Sequence, residues 1–144
     1  MSLNIRSVRY IFGCVVLVAH FGTAAMYFFV GQRYLDSLEE VIQGMLTVAP
    51  VAAVYSVMFV KYVTSNPEVR ASEQGSLMAL DAFMVQLGIL LAFGLTLIGG
   101  TLVLFEQGQV AAENVKLFTG IVDTLFGGYM AAIFGKLFPS EILE

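Results

Sequence analysis

Four long apolar stretches, at about 8–31, 38–63, 77–105 and 115–138, occupy most of this 144-residue chain, with short polar segments between them. At about 1.5 Å of helical rise per residue, each is long enough to cross the ~30 Å hydrocarbon core of a bilayer. The first stretch lies between Arg9 and Arg33 and carries His20 inside it. Arg6 and Arg9 ahead of apolar residues imitate a secretory signal, but the run is too long for that, so it is read as a retained first span. Ser37-Leu38-Glu39-Glu40 then fits a capping box, with Ser37 as N-cap and Glu40 at the third helical position. The second helix should start there. Pro50 within it removes one backbone donor and leaves the Leu46 carbonyl without its intrahelical partner, which predicts a kink near mid-membrane.

Residues 64–76 are polar, contain Asn66-Pro67 and Gly75, and form the longest connection. The third stretch exceeds the hydrocarbon thickness, which should leave the turn bearing Asp81 among the headgroups. Asp123 alone interrupts the fourth apolar run, and Pro139 should end it. Arg6, Arg9, Lys61, Arg70 and Lys136 fall on one side of the membrane, against Arg33 and Lys116 on the other. By the positive-inside rule both termini and the 64–76 loop are cytoplasmic. The expected fold class is all-α: one polytopic domain over 1–144, a four-transmembrane-helix bundle with N-in/C-in topology.

Composition narrows the function. Hydrophobic residues make up 58% of the chain and charged residues 12%, with mean hydropathy +0.85, so no length remains for a soluble catalytic domain. The net charge is −4 and the charges sit mainly at the termini and connections, which argues against nucleic acid as a partner. A single cysteine, Cys14, excludes an intrachain disulfide, a Cys-x-x-Cys redox pair and a thiolate-rich metal site. No metal or cofactor is expected. Four-helix quinone-linked disulfide enzymes need cysteine pairs, and the small glutathione-dependent membrane enzymes place arginines within their helices. Neither pattern is present, and the chain is read as no enzyme. Small multidrug exporters carry a glutamate in the first helix, where this chain has His20. In size and architecture the chain is similar to small four-helix channel-forming proteins, including membrane effectors of bacterial antiviral systems, in shape and not in motif.

The residues that carry chemistry are few. Asp123 and His20 come out at similar depth, within about a turn, and Pro50 and Thr96 at comparable depth. An intramembrane carboxylate is expensive and faces protein or water, so Asp123 is the leading functional candidate, as a pore-lining or intramembrane polar residue. Its structural alternative is a carboxyl that ties helices together through His20 or Thr96. Gly88, Ala92, Thr96 and Gly100 recur every four residues, as do Gly120, Thr124 and Gly128, which makes small-residue faces for packing within the bundle or between subunits. On the outer side Asp36, Glu39, Glu40, Glu106 and Glu113 would form an acidic mouth if several copies surround an axis. These features give three expectations. The leading one is a homo-oligomeric, cation-passing channel. The second is a non-catalytic membrane subunit or anchor that docks a cytoplasmic protein at 64–76. The third is a small proton-coupled exporter using Asp123. The expected setting is a lipid bilayer, the bacterial inner (plasma) membrane.

Overall fold

The computed structural model describes residues 2–64, 77–107 and 111–137, the side chains of 134–136 apart. Its helices are α1 (Ile5–Phe29), α2 (Leu38–Thr64), α3 (Leu80–Glu106) and α4 (Ala112–Leu137). Among the described residues the fold is helical apart from short turns and the strands β1 (Ser2–Asn4) and β2 (Leu77–Ala79), which pair antiparallel just ahead of α1 and α3. The expected boundaries shift by about three residues because β2 takes the start of the third apolar run, and α4 begins earlier, at Ala112. The 65–76 part of the long connection and Pro139 lie outside the described residues.

Each helix start has a local cause. Asn4 Oδ1 accepts from the Arg6 N–H at 2.9 Å, an N-cap that stops β1 and opens α1. At α2 the Ser37 hydroxyl accepts from the Glu40 N–H at 3.2 Å, while the Glu40 carboxylate reaches back to the Asp36 N–H at 3.0 Å. The box closes one residue upstream of its usual backbone donor, and the acids sit at the positive end of the helix dipole. A 3-10 turn, Gly31–Arg33, joins α1 to α2. Helix α2 runs through Pro50 as one element, with the proline exposed on its outer face.

Within α3, Thr96–Gly100 is a π-helical turn. The Thr101 hydroxyl donates to the Leu97 carbonyl at 2.6 Å, so a backbone acceptor in the widened turn gains a side-chain donor. Three helical segments, Ile5–Arg33, Leu38–Thr64 and Leu80–Glu106, are long and apolar enough to span a membrane.

Neighbouring helices are α1 and α2, α2 and α4, α4 and α3, and α3 and α1. Thus α1 and α4 stand diagonally across the bundle. Gly13 meets Phe59 and Gly44 meets Tyr27, which makes α1 and α2 antiparallel and brings them close at both ends. A Cβ at either glycine would overlap the facing ring. Apolar side chains fill the end of the bundle nearer β1, where Val8, Phe12, Tyr62, Phe83, Phe126 and Met130 pack together. Toward the other end Tyr27, Phe105 and Val115 form a smaller cluster.

Candidate functional site

Between those clusters the apolar bundle interior, which includes Val48, Leu97 and Val122, holds a buried polar pair. His20 is 0% exposed and Asp123 3%, and His20 Nε2 lies 2.9 Å from Asp123 Oδ1 across the α1–α4 diagonal. The alignment falls off the direction of an ideal hydrogen bond, and neither atom has another hydrogen-bond partner among the described residues. The other ring nitrogen is fixed: Nδ1 lies 2.7 Å from the Val16 carbonyl, one turn back on α1. The ring of Phe126 tilts against the imidazole at 5.0 Å between centroids, and Phe93 of α3 meets Phe126 edge-on at 5.6 Å. From α2, the buried Tyr55 hydroxyl donates to the Gly127 carbonyl at 2.9 Å, one turn after Asp123. The pair therefore has an apolar, aromatic wall around it, the setting in which a paired charge is tolerated and an isolated one is not.

About two turns along α1, a second polar group ties the same diagonal. The Tyr27 hydroxyl lies 2.8 Å from Thr119 Oγ1, and Thr119 lies 3.2 Å from Thr101 Oγ1 of α3. Both threonines spend their hydroxyl protons on carbonyls, Thr119 on Val115 at 2.8 Å and Thr101 on Leu97. The Tyr27 proton therefore goes to Thr119, and the threonine pair has no proton left between its oxygens. Thr23, also fully buried, donates to the Ala19 carbonyl at 2.8 Å.

Among the residues singled out in the sequence, the structure brings His20 and Asp123 together and leaves the others apart from them. Pro50 and Thr96 face outward, so of the four features expected at comparable depth only His20 and Asp123 meet in the interior. Of the small-residue rows, Gly88, Ala92, Thr124 and Gly128 are exposed, and no atom stands within 4 Å of a Cβ built at Gly88 or Gly128. Gly100 turns toward Phe118 of α4, and Gly120 toward Thr47 of α2. Close packing between α1 and α2 comes instead from Gly13 and Gly44, which belong to no such row. Asp36, Glu39, Glu106 and Glu113 are exposed at the end bearing the α1–α2 turn, and Glu40 is half-buried in its cap. Lys116 crosses to Gln43 Oε1 at 2.8 Å, joining α4 to α2 there. Cys14 is exposed on α1.

Sequence reasoning missed Thr23, Tyr27, Thr101 and Thr119. A signal existed in part: His20, Thr23 and Tyr27 recur at i, i+3 and i+7, and Thr119 precedes Asp123 by four, so each set shares one helix face. Among the described residues no group of three metal-ligating side chains comes together. Comparison of the chain with family models, curated proteins and solved structures finds no match.

Proposed function

We propose that the chain is a four-span, N-in/C-in integral membrane protein that works as a non-catalytic membrane subunit, associating with further copies of itself through the outer faces of α3 and α4. The observation that supports this reading is the open space over Gly88 and Gly128, next to exposed Ala92 and Thr124. Lipid tails are as apolar as leucine, so helices associate in a bilayer where small residues let backbones approach closely. Asp123 weighs against a pore lined by that carboxylate, because its Oδ1 is turned inward to His20.

The helical architecture and the five-to-two bias of basic residues suit a bacterial inner membrane, since outer-membrane spans are β-barrels. The homo-oligomeric channel keeps one specific support. Thr96 and Thr124 are exposed on the same small-residue faces. A ring of copies that instead turned these faces toward a common axis would carry cations past those hydroxyls, with Asp36, Glu39, Glu40, Glu106 and Glu113 toward one mouth.

The test uses purified full-length protein in mild detergent. Wild type is expected to run as a homo-oligomer and Gly128→Leu as a monomer of unchanged helicity, because the space over Gly128 is open within one copy. A monomeric wild type, or an oligomer indifferent to Gly128→Leu, overturns the reading. Conductance of the oligomer in reconstituted bilayers, lost in Gly128→Leu, would select the channel over the anchor.

Topology is tested separately. In a Cys14→Ala background, a cysteine at Ser37 should react with an impermeant thiol reagent added outside, and one at Ser72 should not. The opposite pattern reverses the orientation.

A further inference from the structure

A backbone carbonyl only accepts, so the 2.7 Å contact with Val16 O places a proton on His20 Nδ1. What remains open is the number of protons between Nε2 and Asp123 Oδ1, 2.9 Å apart and both buried. With none, an imidazole lone pair presses on a carboxylate oxygen and a bare negative charge lies in the core. With two, an imidazolium faces a neutral carboxyl and the core carries a positive charge. With one, the pair is neutral whichever atom holds the proton. An uncompensated buried charge is far more costly than a neutral pair.

No other charge is at hand to offset one. The remaining charged side chains described on α1, α2, α3 and α4 stand toward the helix ends. The groups around the pair are Phe126 from α4, with Phe93 of α3 behind it, and Tyr55 from α2, whose proton is committed to Gly127. We propose that His20 and Asp123 form a single-proton binding site: one proton shared between Nε2 and Oδ1 ties α1 to α4 and is surrendered to water when the two helices part. Any rearrangement that separates this diagonal then carries a proton with it. This inference is independent of the proposed association, which involves the opposite face of α4.

Apart in water, an imidazole and a carboxyl shed their acidic protons near pH ~6.5 and ~3.9, so at about pH 8 neither keeps one. Unfolding the detergent-solubilised chain with sodium dodecyl sulfate at that pH, in weak buffer with an indicator dye, should release one more proton from wild type than from Asp123→Asn. In that variant the amide can donate to Nε2 with no titrating proton. Equal release from the two proteins overturns the proposal. A second measurement needs no variant. His20 is the chain's single histidine, so its imidazole ¹⁵N resonances are unambiguous. They should keep one pattern from about pH 5 to about pH 8, across the range where a free histidine titrates. A shift to the free-histidine pattern within that range overturns it as well.

Discussion

Gly44→Val is expected to destabilise the bundle by about 3–5 kcal/mol, the range for losing a large buried aromatic. The first atom added at Gly44 occupies the place of the Tyr27 ring. Tyr27 is fully buried, stands edge-on to Phe105 at 5.3 Å and donates to Thr119. It has no open side to retreat to, so the ring must leave its slot. The Phe105 packing and the hydroxyl link to α4 go with it. Val54→Leu is the control, since Val54 is exposed on the same helix and away from the α3 and α4 faces, and it should change stability by less than about 1 kcal/mol. Unfolding curves in mixed detergent micelles give both values. A Gly44→Val protein as stable as wild type would mean that the α1–α2 approach is looser than described.

His20→Ala is expected to be nearly as damaging, for a different reason. Removing one partner of a buried pair leaves the other uncompensated, a loss of about 3–5 kcal/mol in proteins generally. Asp123 then stays in the core only by binding a proton of its own. A free carboxyl has a reference value near ~3.9 in the unfolded chain, so that proton costs about 4 kcal/mol at pH 7 and progressively less toward pH 4. The defect should therefore shrink as the pH falls. The double variant His20→Ala/Asp123→Leu should recover much of the loss, because it leaves no orphaned charge. If the double variant is worse than the sum of the two single changes, the pair is not the source of the effect.

Much of the fold is legible from hydropathy because a bilayer-length apolar run between polar segments allows few conformations. The Ser37–Glu40 box is legible because it is local. The depth match of His20 and Asp123 follows from counting residues along two helices, and the structure pairs them. Rotation is harder. Spacing by four places Gly88 with Ala92 and Thr124 with Gly128 on common faces, but nothing in that spacing says whether a face points to a neighbouring helix or away from the bundle. Gly13 and Gly44 show the converse. Each is an isolated small residue that matters because of an aromatic ring on the facing helix, and only the three-dimensional arrangement reveals which ring. The β1–β2 pairing is invisible for another reason: three-residue strands are too short to show a period, and their partners lie more than 70 residues apart.

The pairing across the α1–α4 diagonal joins residues from opposite ends of the sequence. Chains emerge from the amino terminus, so His20 reaches the membrane with α1 and α2 long before Asp123 is synthesised, about 100 residues later. A neutral histidine can wait there on its own backbone bond to Val16. A carboxylate cannot wait in lipid so cheaply. In the proposed four-span topology the costly residue is thus made last, when its receptor is already in place, and the entry of α4 would depend on the others having assembled.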